Sequence, residues 1–229
     1  KDGSESRSTA RLLEKMVDES DHRVEQKDVL RARLLDMVVG DFDRHFDQWK
    51  WGITDTGKGK LYYPIARDRD QAFFNSDGLL LKVVSRRRLP FLRGFKPHMP
   101  AINWLNWSAR DFDRIFLNQL DRETWEKTII DVQSKLTDSV LSTSVHRLPD
   151  EIFPINGERI IETLVSRRNV LLERGMKYYK FLADDINIVG SNKSEYFRVT
   201  ETEKGVNVTV YERKNRNDTS YRIYERNFV

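Results

Sequence analysis

The sequence predicts an α+β fold, in which a mostly helical domain with one β-hairpin precedes a small antiparallel sheet. Apolar residues recur at a spacing near 3.6 through most of the middle of the chain, as on the buried face of a helix. Two strand-like runs flank the turn-rich TDTGKG at 54–59 and indicate a hairpin. Beyond residue 185, alternating stretches rich in Val, Ile, Thr and Tyr indicate antiparallel strands. We therefore divide the chain into a loose segment at 1–8, a helical domain at 9–185 and a β appendage at 186–229.

Helices are predicted where the apolar spacing is sustained, at 10–19, 28–39, 109–119, 122–146 and 157–182. Polar residues that can cap the first turn are found at the start of four of them: Asp28, Ser108, Asp121 and Asn156. The helix at 28–39 is apolar on most of its surface, so we expect it to be buried, and Gly40 ends it. Strands are predicted at 49–53, 60–65, 186–190, 195–203, 206–213 and 221–226, with a turn at Lys204-Gly205.

The charge balance limits the possible partners. The 229 residues include 40 basic and 36 acidic side chains, which leave a net charge of +4. Because broad electrostatic binding to nucleic acid requires a concentrated basic face, we expect no nucleic-acid partner. One short basic cluster is typical of a solvated surface run; it comprises Arg86, Arg87, Arg88, Arg93 and Lys96.

The absence of cysteine excludes disulfides, thiolate metal sites and cysteine nucleophiles. No apolar run approaches the ~20 residues that a membrane helix requires, so we expect no direct membrane insertion by this segment. The chain begins at Lys1 rather than at a methionine. We therefore expect it to be part of a longer protein, which also supplies strands that complete the β appendage.

Two motifs carry most of the chemical signal, GDFDRHFDQW at 40–49 and ARDRDQAF at 66–73. Phosphoryl transfer requires one carboxylate to accept the proton of the attacking hydroxyl, and a second carboxylate and an amide to hold the divalent metal. Asp43 and Gln48 lie five residues apart, which is the spacing of base and metal-binding amide on a kinase catalytic loop. Asp68 follows the second hairpin strand, whose pairing would return it to the side of that loop.

The first motif resembles the catalytic loop of atypical kinases, among them the type II phosphatidylinositol 4-kinases, secretory-pathway protein kinases and HipA-type kinases. The DRDQAF at 68–73 is similar to their metal-binding segment. The resemblance implies that the helical domain is like a kinase C-lobe and that the site uses Mg²⁺ or Mn²⁺. ATP is implied only together with a nucleotide-clamping lobe, and the residues before Asp28 are too few to form one.

Carried onto this chain, the resemblance implies a role for each residue of the two motifs. Asp43 would be the catalytic base, and Arg44 and His45 would shape the loop. The metal ligands would be Gln48, which stands where Asn is commoner, and Asp68, with Asp70 as an additional carboxylate.

A second resemblance extends over nearly the whole chain. The segments that carry it are RARLLDMVVGDFDRHFDQWKW, YYPIARDRDQAF, RLPDEIF, KYYKFLA, INIVGSNKSEYFRV and YERNF, in that order. In this order, the segments resemble a part of large bacterial envelope proteins labelled calcineurin-like metallophosphoesterases. Those proteins have a phosphoesterase domain upstream of this part and a surface-antigen-type β-barrel downstream of it. This resemblance implies the periplasm or outer membrane as the location, and other domains of the same parent chain as the partners. The chain has four histidines and no Asn-His pair, so we expect no complete phosphoesterase site within it.

Two interpretations remain open. In the first, the two motifs form a metal and nucleotide site that requires the missing lobe, so this chain alone is inactive while its parent is a phosphohydrolase or an atypical kinase. In the second, the chain is a non-catalytic structural linker, and the motifs form an ion-pair network of Asp41, Asp43, Arg44, Asp47, Arg67, Asp68, Arg69 and Asp70. Carboxylates of Asp43 and Asp68 that converge on an open cleft would favour the metal and nucleotide site. Carboxylates that are enclosed by ion pairs with arginines would favour the structural linker.

Overall fold

The computed structural model describes residues 6–57, 59–75, 95–99, 101–203, 205–213 and 221–228. These residues form eight α-helices and seven β-strands in two sheets, so the predicted α+β class is confirmed. The helices are α1 Thr9–Asp18, α2 Gln26–Val39, α3 Ile102–Leu105, α4 Arg110–Phe116, α5 Arg122–Lys135, α6 Asp138–Val145, α7 Phe153–Asn169 and α8 Leu171–Ala183. The strands are β1 Ser6–Ser8, β2 His22–Val24, β3 Trp49–Asp55, β4 Lys60–Ala66, β5 Glu195–Thr202, β6 Gly205–Glu212 and β7 Tyr221–Phe228.

The first sheet has the strand order β1-β3-β4-β2. The predicted hairpin is confirmed as β3 and β4, which pair in antiparallel fashion from Trp49 opposite Ala66 to Asp55 opposite Lys60. Residues 6–8, predicted to be loose, instead form β1 and pair with β3. This short polar segment has no local sequence pattern typical of a strand, because it becomes a strand only by pairing with β3, which is distant in the chain. Residues 1–5 lie outside the described residues.

The second sheet has the order β5-β6-β7 and is antiparallel throughout, as predicted for the C-terminal region. Thr202 pairs with Gly205 at the turn between β5 and β6, and Lys204 lies outside the described residues. The predicted strand at 186–190 does not form. Its alternating apolar residues reflect contact with the sheet rather than membership of it, since Ile188 packs against the cluster of buried side chains on β6 and β7.

Several helix boundaries differ from the predicted ones. The predicted helix at 122–146 is divided into α5 and α6, because the Thr137 side chain accepts a hydrogen bond from the Val140 N–H and starts a new helix. The predicted helix at 157–182 is likewise α7 and α8, and α7 begins before Asn156, with a proline in its first turn.

The predicted capping residues have different outcomes. Asp121 caps α5, accepting from the Thr124 N–H at 2.8 Å, as predicted. Asp28 lies within the first turn of α2 rather than before it, and Ser108 bonds to a distant loop instead of capping α4.

Helix α2 is buried at the centre of the domain, as predicted, and packs against α5, α7, α8 and β4. Its buried residues are Val29, Leu30, Arg33, Leu34, Asp36, Met37 and Val38. Strand β3 is fixed to α4 by stacked rings, with the centroids of Trp49 and Phe112 4.8 Å apart. Among the described helices, none is both long and apolar enough to span a bilayer.

Candidate functional site

The loop of the first motif begins where α2 ends. Gly40 adopts a left-handed conformation (φ 77°), and its N–H donates to the carbonyl of Asp36. A Cβ at Gly40 would lie 3.1 Å from Cδ2 of Phe95, so close packing as well as backbone conformation favours glycine there. The N–H of Asp41 also donates to the Asp36 carbonyl, at 3.0 Å. The chain therefore turns back sharply, and the loop lies against the last turn of α2.

The guanidinium of Arg167 closes the same end of α2. Its Nε donates to the carbonyl of Val38 at 2.7 Å, its Nη2 to the carbonyl of Met37, and its Nη1 to the carbonyl of Lys96 at 2.6 Å. Burial lowers the pKa of Arg167 to about 9, which leaves the side chain charged at neutral pH. A cation at this position complements the partial negative charge of the helix C-terminus and fixes the start of the loop.

Asp36, fully buried on α2, binds three arginines. Its Oδ2 accepts from Nη1 of Arg33 at 3.0 Å and from Nε of Arg44 at 3.2 Å. Its Oδ1 accepts from Nε of Arg69 at 2.8 Å. These arginines come from α2, the loop of the first motif and the segment after β4, so one carboxylate connects the two motifs to the central helix.

Arg44 is fully buried, and each of its three nitrogen atoms has a protein partner. Besides the Nε bond to the carboxylate just described, Nη1 donates to the backbone carbonyls of Arg67 and Asp68 at 2.5 and 3.1 Å. Nη2 donates to the backbone carbonyl of Gln48 at 3.3 Å. The guanidinium carbon lies 4.6 Å from the ring centroid of Trp49, a cation–π distance. Burial lowers the pKa of Arg44, and the neighbouring carboxylates oppose this change.

A second buried ion pair extends the network into the helical layer. Nε of Arg33 donates to both carboxylate oxygens of Asp113, at 2.9 and 3.1 Å, and its Nη2 donates to Oδ1 of Asn106 at 2.6 Å. The hydroxyl of Tyr178 donates to Oδ2 of Asp113 at 2.8 Å. Burial disfavours the charge of Arg33, but the attraction of Asp113 and Asp36 together outweighs it and raises the pKa of Arg33. Burial and then the charge of Asp113 raise the pKa of Tyr178, so its hydroxyl remains a donor.

Asp41 is the least satisfied member of this network. Its Oδ1 accepts from the N–H of Asp43 at 3.2 Å, while its buried Oδ2 has no hydrogen-bond partner among the described residues and lies 3.7 Å from Nη1 of Arg44. Burial raises the pKa of the Asp41 carboxyl, and the attraction of Arg44 only partly offsets this. The charged form of Asp41 is therefore disfavoured in the folded state.

The residues predicted to do the chemistry lie mostly outside the buried network. The Asp43 side chain is 41 % exposed, and its Oδ1 is 3.8 Å from Nε2 of His45, which is similarly exposed. Asp68 and Asp70 are exposed, and Asp68 adopts a left-handed backbone (φ 51°). Gln48 is buried. Among the described residues, the guanidinium of Arg44 joins the two motifs through the backbone carbonyls of Gln48 and Asp68, and not through the side chains of the predicted base and metal ligands.

Metal ligands were predicted from the same motifs. Within the described ranges, no group of three or more His, Asp or Glu side chains is arranged to hold a metal ion. Mg²⁺ and Mn²⁺ prefer several oxygen ligands around one point. The predicted set of Gln48, Asp68 and Asp70 contains two carboxylates and one amide, so this finding does not bear on it and it stays a prediction.

No family model, curated protein or solved structure matches this chain. The resemblances to atypical kinases and to bacterial envelope proteins therefore stay predictions.

Sequence reasoning missed five buried polar residues of the network: Arg33, Asp36, Asn106, Asp113 and Tyr178. A signal for two of them was present. Arg33 and Asp36 are three apart in RARLLDMVV, a helix that was predicted to be buried on most of its surface. Charged residues that enter a buried helix are expected to be paired, and this spacing lets the two side chains meet on one face.

Proposed function

We propose that this chain is a non-catalytic structural domain of a longer bacterial envelope protein, in which it links a metallophosphoesterase domain to a membrane-anchored β-barrel. The observation that carries the proposal is the enclosure of the Arg44 guanidinium. The identity of the flanking domains rests on the resemblance to envelope proteins alone.

The charged hydrogen-bond donors of the loop point into the protein. In a phosphoryl-transfer site, charged donors and metal ions must face the phosphates. Here Nε, Nη1 and Nη2 of Arg44 are all engaged by protein oxygens, and the backbone carbonyls of Gln48 and Asp68 are among the acceptors. The loop thus holds the hairpin against α2, and we call it a clasp in this sense. Such a fixed arrangement suits a structural domain that connects two others.

One observation favours the catalytic alternative. Asp68 and Phe73, both in the second motif, are non-glycine residues with left-handed backbones (φ 51° and 60°). Such conformations cost about 1–3 kcal/mol each and cluster at functional sites. In this second candidate function Asp43 is the base, Gln48 and Asp68 hold Mg²⁺, and a further part of the parent supplies the nucleotide-clamping lobe.

Metal binding separates the two candidates. Mn²⁺ binding is followed by electron paramagnetic resonance, and Mg²⁺-ATP binding by calorimetry, for this chain and for a version extended N-terminally. The structural proposal predicts no saturable binding to either. Stoichiometric binding that is lost in Asp43→Asn and Asp68→Asn, but kept in the exposed control Asp150→Asn, would establish the catalytic alternative instead.

Stability provides the second arm of this test. If the loop is a clasp, Arg44→Met lowers the free energy of unfolding, whereas Asp43→Asn and Asp68→Asn leave it nearly unchanged because their carboxylates are exposed. A large loss of stability in both aspartate variants and none in the arginine variant contradicts the proposal.

A further inference from the structure

A cavity of about 310 Å³ lies between the helical domain and the C-terminal sheet. Helix α1 and the end of α4 line one side, and β6, β7 and residues 187–191 line the other. The apolar side chains that face it include Leu13, Met16, Val17, Ile115, Ile188 and Ile223. Protein interiors are close-packed and leave few voids larger than a water molecule, so a partly open apolar space of this volume has the character of a ligand site.

The two sides of this cavity belong to different apolar clusters. Leu13, Met16 and Ile115 pack against the main core, whereas Ile188 and Ile223 pack against the small cluster of the sheet. On α1, positions 13, 16 and 17 share one helix face because residues three and four apart are neighbours. This face lies between the two clusters, and Val17 on it is 40 % exposed.

The polar groups on the wall are largely engaged by protein partners. Oε1 of Glu195 accepts from the N–H and the hydroxyl of Ser191, at 3.0 and 2.5 Å. Nδ1 of His22 is 2.9 Å from the hydroxyl of Tyr62, and the hydroxyl of Tyr224 donates to a backbone carbonyl at 3.1 Å. Arg23 also lines the cavity, but its side chain is exposed, donates to the Tyr221 hydroxyl at 3.4 Å and lies over the Tyr221 ring. Because a buried charge without a partner is strongly disfavoured, the apolar part of this lining favours an uncharged ligand.

We propose that the cavity binds the hydrocarbon chain of an uncharged amphiphile. An apolar cavity of about 150 Å³ holds one benzene molecule, so this cavity accommodates an alkyl chain of about ten carbon atoms. Asn118 and the exposed Gln119 line the cavity as well, and their amides can bind a hydroxyl or ester head group. The site is separate from Arg44 and does not depend on the structural role proposed above.

The test uses the 229-residue chain and the fluorescence of N-phenyl-1-naphthylamine, an uncharged probe that brightens in apolar surroundings. We expect saturable binding of one probe per chain and its displacement by 1-decanol. Decanoate, which must desolvate a carboxylate, should displace the probe at least about tenfold less effectively. The proposal is overturned by the absence of saturable probe binding, or by displacement that is equal or stronger with decanoate.

Two matched valine variants locate the binding. Val17→Trp places a large ring in the cavity and should weaken probe binding by about tenfold or more, because the ring occupies the ligand volume. Val140→Trp makes the same change on α6, at a valine that is 46 % exposed and does not line the cavity, and should bind as the unsubstituted chain does. If Val17→Trp does not give the circular dichroism of a folded chain, Val189→Trp takes its place, at a lining residue that is 70 % exposed. Equal binding by the cavity and control variants would show that the probe binds elsewhere.

Discussion

Replacement of Arg44 by methionine tests whether the loop of the first motif is a clasp. The substitution removes the Nε bond to Asp36 and the bonds from Nη1 and Nη2 to three backbone carbonyls. Removing one partner of a buried ion pair costs about 3–5 kcal/mol. Asp36 retains Arg33 and Arg69, and the Gln48 carbonyl retains the N–H of Arg67 at 2.9 Å, which reduces this cost. The carbonyls of Arg67 and Asp68 lose this donor, and a buried acceptor left unpaired costs about 1–3 kcal/mol. We therefore expect the free energy of unfolding to fall by about 4 kcal/mol, a large part of the stability of an ordinary domain.

The assay is urea unfolding followed by the fluorescence of the five tryptophans, one of which, Trp49, is stacked under the guanidinium. Arg31→Met is the matched control, since Arg31 is 46 % exposed and paired with Asp28 at 2.6 Å on the surface of α2. We expect the control to lose less than about 1 kcal/mol, as is usual for a surface pair. A loss in Arg44→Met that is no larger than that of the control would refute the reasoning.

Three further changes test other parts of the network. Gly40→Ala should lower the free energy of unfolding by about 1–2 kcal/mol in thermal unfolding, through backbone strain and the contact with Phe95. The control Gly57→Ala has a similar φ but open space around it, so its free energy of unfolding should fall less. Equal decreases in the two variants would exclude a contribution from packing. Burial raises the pKa of Asp41, so its ionised form disfavours folding above that pKa and the effect fades as the pH falls. The stability of Asp41→Asn relative to the unsubstituted chain should therefore be greater at pH 7 than at pH 4 in urea unfolding, and a difference independent of pH contradicts this. Tyr178→Phe should lower the free energy of unfolding by about 1–3 kcal/mol, because it removes a donor from a buried carboxylate, and a neutral result would show that another donor replaces the hydroxyl.

The parts of the fold that follow from local periodicity could be predicted from the sequence. The burial of α2, its end at Gly40, the β3-β4 hairpin and the antiparallel order of β5, β6 and β7 all have signals within a few residues. Strand β1 has none, because SRS becomes a strand only by pairing with β3, more than forty positions away. The breaks after α5 and α7 were missed because the apolar spacing continues across them, and the Thr137 cap competes with that spacing only locally.

The candidate site was predicted in part. The two motifs were expected to meet, and they do so through Arg44, whose backbone acceptors lie on both sides of the hairpin. The sequence could not show that Asp36 would accept hydrogen bonds from the arginines of both motifs, because this depends on how the turn at Gly40 places the loop against α2. Asp113, the second carboxylate bound to Arg33, lies eighty positions further along the chain and becomes a neighbour only through helix packing.

The arrangement of the first sheet restricts where the chain can be divided. Strands β1 and β2 cover the two edges of the β3-β4 hairpin, yet both precede α2 in the chain. A shortened protein that starts at Gln26 keeps the hairpin and loses both covering strands, so the backbone N–H and C=O groups of two strands are left unpaired. Uncovered strand edges recruit strands from other molecules. The first twenty or so residues thus protect the hairpin from intermolecular association, and an expression boundary placed at the start of the central helix would favour aggregates over a monomeric domain.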